Sequence, residues 1–423
     1  MEDFTMEQQQ KAIVVGVNVK HQEDFEYSME ELRNLSSACH VEVVGQLVQN
    51  LERVNNSHYI GKGKVQEVKA LYDMQEANMV IFNDELSPSQ IRNLEAELQC
   101  KVIDRTILIL DIFEKRAKTR EAQLQVEVAQ LQYMLPRLIG LRESLGRQGG
   151  GVGTKNKGAG ETKLELDRRR IEDKISALNK ELEILVSQRQ TQRKKRQRNE
   201  LPVVSLVGYT NAGKSTIMNA LVQSLSPSSE KLVFEKDMLF ATLETSVRKI
   251  RLKDNKSFLL TDTVGFVSKL PHHLVKAFRS TLEEVAEADL LVHVIDYSNP
   301  EYENLMEITD TTLQEIGITD IETILAYNKC DMVDCTIPVV KERSIYLAAK
   351  PRVGLSELVD VISSHIFKDY IHCEMIIPYE QGQVVSYLNE HAHVISTVYD
   401  PEGTRLNIEC RPMVVEKYRE YVV

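Results

Sequence analysis

Long apolar runs, paired cysteines and a hydrophobic leader are all missing from this chain. No apolar stretch among its 423 residues approaches the ~20 needed to cross a bilayer, which argues against a helical membrane span. The stretch from Met1 to Gln10 is acidic and polar and holds no signal-peptide h-region. Six cysteines (Cys39, Cys100, Cys330, Cys335, Cys373, Cys410) are scattered without a CxxC pair. A zinc site or a disulfide framework is therefore not expected, and a cytoplasmic location is. Tryptophan is absent altogether, and that absence excludes nothing. A positive surplus is missing too: 52 basic against 63 acidic side chains give a net charge of -11, which taken alone argues against a nucleic-acid partner.

The average hides a split. Residues 1–110 carry 10 basic and 18 acidic side chains, a net of -8. Residues 111–200 carry 21 and 13, a net of +8, and residues 201–423 carry 21 and 32, a net of -11. A basic middle between acidic ends points to a localised polyanion contact. With 42% hydrophobic residues the chain can bury real cores, and its length calls for several domains.

Residues 1–112 read as an N-terminal α/β domain with a parallel sheet. KAIVVGVNV and ANMVIFN have the continuous apolar character of buried strands, while SMEELRNLSSAC and SPSQIRNLEAEL have helical periodicity. Ser87 is the expected N-cap of the second helix, with Pro88 at its first position. VIDRTILILDIF is a further apolar run. Nothing in this domain looks catalytic.

Residues 113–188 differ. Leu124, Val128, Leu131, Leu135 and Leu138 form one stripe at alternating spacings of four and three, and Ile171, Ile175, Leu178, Leu182 and Leu185 form another. Two such stripes predict an antiparallel helical hairpin, with Pro136 kinking or shortening the first helix. Between them lies GRQGGGVGTKNKGAGETK, whose seven glycines cannot pack a core. A solvated loop is the plain reading of that break. Its basic residues Arg147, Lys155, Lys157 and Lys163 favour a contact with a phosphate backbone. Residues 189–200, including RQTQRKKRQR, read as a basic linker.

Residues 201–369 carry four ordered motifs, each after an apolar strand. GYTNAGKS fits G-x-x-x-x-G-K-[ST] in full, with Gly208, Tyr209, Thr210, Asn211, Ala212, Gly213, Lys214, Ser215 and then Thr216 opening a helix. Backbone amides there wrap phosphates, Lys214 reaches the β- and γ-phosphates, and the Ser215 hydroxyl suits Mg²⁺. DTVG supplies Asp262 toward Mg²⁺, then Thr263, Val264 and Gly265, whose amide faces the γ-phosphate. NKCD supplies Asn328, Lys329 and Asp331. A carboxylate at Asp331 accepts the paired N–H donors of guanine, which adenine does not offer. Ala348, Ala349 and Lys350 follow a fifth strand, where a backbone amide meets the guanine oxygen. Together these predict a doubly wound GTP-binding domain that hydrolyses GTP to GDP and phosphate.

Two details refine the chemistry. Phe266 stands where many GTPases place a water-orienting Gln, so intrinsic hydrolysis is expected to be slow and completed by a partner. No side chain is assigned as catalytic, and Lys214 and Gly265 are expected to stabilise the γ-phosphate. Asn211 occupies the position of a K⁺-holding residue, so stimulation by K⁺ is expected. The first switch is placed in FEKDMLFATLETS, with Phe240, Ala241 and Thr242 near the nucleotide and Thr242 sensing Mg²⁺; Thr245 is the second choice. Residues 370–423 read as a small α+β domain of strand, helix, strand, turn, strand and helix.

DRTILILDIFEKRAKTREAQLQVEVAQLQYMLPRL, RQGGGVG, GETKLELDRRRI, GYTNAGKST and DTVGFVSKLPHHLVKAFRSTLEEV together closely resemble the HflX family of translational GTPases. YIGKGK and FNDELSPSQIRNLE add matches in the N-terminal domain, so the resemblance runs from Ala12 to about Tyr399. It implies a GTPase that binds the large ribosomal subunit, splits ribosomes under stress and is stimulated by the ribosome. It also implies that the glycine-rich tip approaches ribosomal RNA, with the G domain at the GTPase-associated centre and its stalk-region proteins. A monomer is expected. The alternative is an assembly GTPase acting on the immature large subunit, or a factor of antibiotic-resistance type. ATLETSVRK departs from the family's ATLDPTTRR, which weakens Thr242, and Ala348 replaces a commoner Ser. YIGKGK lacks phosphate-loop spacing, so no ATPase activity is expected of the N-terminal domain.

Overall fold

A computed structural model describes residues 10–20, 24–148, 157–197, 201–225, 240, 245–252, 254, 256–269 and 285–423. Two compact bodies are present. One holds residues 1–191 with 237–244 and 267–280; the other holds 192–236, 245–266 and 281–423. Among the described residues no helix is long and apolar enough to cross a membrane.

The first body opens with β1 (Gln10–Val19), α1 (Phe25–Ala38), β2 (Val41–Leu51) and α2 (Lys62–Met74). It continues with β3 (Met79–Phe82), α3 (Pro88–Leu98), β4 (Lys101–Asp104) and α4 (Arg105–Arg116). The four strands form a parallel sheet in the order β2-β1-β3-β4. Six successive buried residues in β1 explain its unbroken apolar run, since strands covered on both faces need no polar alternation. Helix α3 starts as its sequence requires: Ser87 Oγ accepts from Gln90 N, Gln90 Oε1 accepts from Ser87 N, and Pro88 opens the first turn. The apolar run 102–113 is two elements divided at Asp104. That carboxylate accepts from Ile107 N at 3.0 Å to cap α4 and from Leu86 N at 3.0 Å, and it also takes the Tyr133 hydroxyl.

Behind α4 lies a buried polar cluster. Arg105, 1% exposed, pairs with Glu31, donates to Asn83 Oδ1 at 3.0 Å and reaches Ser268 Oγ at 2.9 Å. Ser268 also donates to Glu31, and Lys269 pairs with Asp84 at 2.6 Å. A buried ion pair needs its remaining donors and acceptors met; Asn83 and Ser268 take the two terminal guanidinium nitrogens, while Arg105 Nε has no partner among the described residues.

Helices α5 (Arg120–Gln148) and α6 (Lys157–Gln197) complete this part. Leu124, Val128 and Leu131 pack on Ile175, Leu178, Leu182 and Leu185. The pairs Arg120–Glu181 at 2.8 Å and Glu127–Lys174 at 2.7 Å show the antiparallel course, because one partner rises in number as the other falls. Pro136 lies inside α5 and does not end it. Residues 189–197, expected as linker, are helical: α6 runs on through them, its polar side chains imposing no break.

In the second body β5 (Val203–Val207), α7 (Lys214–Leu225), β6 (Ser246–Arg251), β7 (Ser257–Asp262) and β8 (Leu290–Asp296) come first. They are followed by α8 (Tyr302–Glu315), β9 (Thr323–Asn328), β10 (Val339–Lys341), β11 (Ser344–Tyr346) and α9 (Leu355–Ile366). The sheet runs β10-β11-β9-β8-β5-β7-β6, parallel except for its two edge strands. Val204, Leu206, Val292 and Ile324 pack with Ile217, Leu221 and Leu358 in its core. A separate three-stranded antiparallel sheet, β12 (Ile371–Ile377), β14 (Gly403–Cys410) and β13 (His393–Asp400), carries α10 (Gly382–His391) and α11 (Pro412–Lys417).

Candidate functional site

Strand β5 lies between β7 and β8, so the sheet leaves a crevice beyond the carboxyl end of β5, where open α/β sheets hold ligands. The loop from Gly208 to Ser215 fills that end and passes directly into α7. Gly208 takes φ +141°, and a Cβ there would overlap the Val294 carbonyl oxygen. Gly213 takes φ +99°, and a Cβ there would overlap the Asn328 side-chain amide. Both positions demand glycine for backbone conformation and for space. Asn211 has φ +61°, a left-handed conformation that asparagine tolerates, and is exposed.

Lys214 is buried at the start of α7. Its Nζ donates to Gly208 O at 3.0 Å and Tyr209 O at 2.8 Å, so the ammonium sits within the loop that is to hold phosphate. Burial lowers its pKa to about 8, while the Asp262 carboxylate pulls the other way. Thr216 follows in the first helical turn, and the Ala212 side chain is buried in the core.

Asp262 ends β7, fully buried, and its Oδ2 accepts from Ser215 Oγ at 2.6 Å. A hydroxyl and a carboxylate facing each other at a phosphate loop form the hard oxygen donor set that Mg²⁺ takes. Thr263 Oγ1 donates to Leu206 O at 2.7 Å, tying this turn to β5, and Val264 is buried. Phe266 N donates to Gly208 O at 3.2 Å and Thr210 N donates to Phe266 O at 2.8 Å, which pins the phosphate loop to the Gly265 turn.

The residues expected to read the base are joined through Asn328. Its Nδ2 donates to Ala212 O at 2.9 Å, and its Oδ1 accepts from Ala349 N at 2.9 Å. One side chain thus couples the phosphate loop to the fifth-strand loop. Lys329 adopts φ +62° and pairs with Asp296 at 2.8 Å. Asp331 and Lys350 are exposed, while Ala348 and Ala349 are buried. Ala348 exchanges backbone hydrogen bonds with Val353 at 3.0 and 2.9 Å, so its small side chain costs the loop nothing visible.

Of the first-switch residues Phe240, Ala241 and Thr242, only Phe240 is among the described residues. Phe240, expected near the nucleotide, belongs to the first body, 2% exposed with its ring edge-on to Phe113 at 4.7 Å. A buried, edge-on aromatic pair is a packing contact. Ala241 and Thr242 lie outside the described residues, as does Lys155 of the basic loop; the side chains of Arg147, Lys157 and Lys163 lie outside them too. Thr245 is described and half-buried just before β6. The Arg105–Glu31–Ser268 cluster escaped sequence reasoning. An arginine between an aspartate and a threonine carries no local sign of burial.

A phosphate-loop nucleotide-binding domain carrying the ordered GYTNAGKS, DTVG and NKCD motifs is the class this fold and site define. Family models agree along the chain: GTP-binding GTPase N-terminal over residues 26–114, GTP-binding GTPase Middle Region over 116–196, and 50S ribosome-binding GTPase over 203–329. GTPase HflX of Caldanaerobacter subterraneus subsp. tengcongensis is 43% identical over 423 residues, 100% of this chain and 96% of that one. GTPase HflX of Escherichia coli is 37% identical over 413 residues, covering 96% and 94%. A GTP-binding protein from Sulfolobus solfataricus, solved in complex with GDP, aligns with TM-score 0.45 at 24% identity over 85% of this chain and 99% of that one. The chain belongs to the GTPase HflX family, and it binds and hydrolyses GTP.

Proposed function

We propose that this GTPase binds the large ribosomal subunit in the cytoplasm, as a monomer, and splits stalled or stressed ribosomes, with GTP hydrolysis driving release. The observation that carries the proposal is the helical pair α5 and α6. At 1.5 Å per residue, 29 and 41 residues give arms of about 44 and 62 Å. They run antiparallel, with residues 149–156 linking them; Gly146–Gln148 and Lys157–Lys163 of the glycine-rich segment, expected as loop, are helical. A long helical pair with Arg147, Lys155, Lys157 and Lys163 near the link between its helices suits a ribosomal RNA backbone. The description 50S ribosome-binding GTPase for the model matching residues 203–329 supports the same partner.

Mg²⁺ would be held by Ser215 and Asp262, with Thr242 joining from the first switch, and would neutralise phosphate charge. Guanine would be read by Asp331, Asn328 and the Ala349 amide, and stalk-region proteins of the subunit would complete a hydrolytic site that lacks the Gln. Light scattering of intact ribosomes, mixed with the protein and a non-hydrolysable GTP analogue, tests the proposal. A fall in scattering is expected. Unchanged scattering together with retained binding to isolated large subunits would instead favour the assembly role.

A further inference from the structure

Hydrolysis requires a group that holds the attacking water, and Phe266 removes the carboxamide that does so elsewhere. Its ring is 4% exposed and cannot be replaced by bulk water. Backbone pairing between Tyr209 and Phe266 instead fixes which residue stands over the γ-phosphate turn. That residue is Thr210. A Cβ built on Gly265 would lie 2.7 Å from Thr210 Cα, 2.8 Å from its Cγ2 and 3.0 Å from Lys214 Nζ. Thr210, through its Cα and methyl, and the Lys214 ammonium therefore converge on Gly265.

The Thr210 hydroxyl is anomalous there. The residue is 6% exposed, and Oγ1 is buried with no hydrogen-bond partner among the described residues. An unmatched buried hydroxyl is costly, whereas an apolar side chain of the same shape would carry no such cost. A hydroxyl both donates and accepts, the combination needed between a water and a phosphate oxygen.

We infer that Thr210 is a catalytic residue whose hydroxyl accepts a hydrogen bond from the attacking water and donates one to a γ-phosphate oxygen. The inference rests on placing the γ-phosphate between Lys214 and Gly265. In the step, the water oxygen forms a bond to the γ-phosphorus. The bond to the β–γ bridging oxygen breaks, and its electron pair stays on GDP. The water proton passes to the departing phosphate, and Thr210 keeps its own.

Single-turnover GTP hydrolysis by full-length Thr210→Val, Thr210→Ala and Thr210→Ser variants tests this, with GTP-analogue affinity measured alongside. Thr210→Val and Thr210→Ala should slow the rate at saturating GTP by about tenfold or more, one factor of ten being 1.36 kcal/mol of barrier. Affinity should stay within about threefold, and Thr210→Ser should restore the rate, since one hydroxyl hydrogen bond is at stake. A wild-type rate in Thr210→Val or Thr210→Ala overturns the inference, as does a Thr210→Ser rate as low as theirs. Lys214→Ala tests the phosphate placement separately: retained GTP affinity there would overturn the site itself and the role of Thr210 with it.

Discussion

Ser215 Oγ donates to Asp262 Oδ2 at 2.6 Å across the carboxyl ends of neighbouring strands β5 and β7. Forty-seven residues of chain separate the two side chains, yet each presents an oxygen to the same point. Asp262 is fully buried, and such a carboxylate requires a compensating donor or cation.

This pair gives the first expectation. Removing Mg²⁺ with a chelator should abolish hydrolysis. Asp262→Asn should depress kcat by at least about 100-fold, the scale of losing one preorganised charge. Ser215→Ala should act in the same direction. Phosphate release measured across a Mg²⁺ titration checks all three, and hydrolysis that persists in chelator would refute the assignment.

Base choice rests on the Asp331 carboxylate. Asp331→Asn should weaken GTP by about 100-fold, the loss of charge-assisted hydrogen bonds worth roughly 1.5–3 kcal/mol. Xanthosine triphosphate, which presents an oxygen where guanine has its amino group, should bind the variant better than GTP. Competition binding with both nucleotides reads the switch directly; an unchanged preference for GTP would place guanine recognition elsewhere.

Lys214 imposes a pH dependence. Its folded pKa of about 8 lies below the ordinary lysine value of 10.5, so the unfolded chain holds a proton that the nucleotide-free protein releases. Stability of the nucleotide-free form should therefore rise as pH climbs from about 8 to 10.5, by on the order of 3 kcal/mol. Below pH 8 the penalty of burying the charged lysine is constant. Bound phosphates recharge the lysine, so nucleotide binding above pH 8 should take up about one proton, as linkage requires. Calorimetry in buffers of differing ionisation enthalpy at pH 9 and pH 7 measures it, and equal uptake at both would exclude Lys214 as the source.

The basic hairpin predicts a salt signature. Changing Arg147, Lys155 and Lys157 to Ala should weaken large-subunit binding and leave GTP affinity intact. The slope of log K against log salt should fall by about 2–3, from roughly 0.7–0.9 per neutralised phosphate. Sedimentation binding at several salt concentrations provides the test, and an unaltered slope would rule the loop out as the RNA contact.

Exposed Asn211 leads to one expectation about monovalent ions. Turnover should be faster in KCl than in NaCl at equal ionic strength, and Asn211→Ala should erase the difference. Equal wild-type rates in the two salts would remove K⁺ from the mechanism.

Local pattern and composition by themselves determined much of this protein. Gly208, Gly213, Lys214 and Ser215 are adjacent in sequence and need only a strand and a helix around them to form a phosphate loop. Ser87, Pro88 and Gln90 set the start of α3 through bonds spanning three residues. The paired apolar stripes likewise specify α5 and α6, because helix period is a local property. Tertiary structure alone decided what distance in sequence conceals. It placed Phe240 on Phe113, carried α6 through residues 189–197 where a linker was expected, and buried Arg105 with Glu31 and Ser268, residues 74 and 163 positions away. It also packed Thr210 against Gly265 and left its hydroxyl buried without a partner among the described residues. The physical reason is common to these long-range cases: burial and hydrogen-bond satisfaction depend on which distant chain segments meet, and no local period or spacing encodes that meeting.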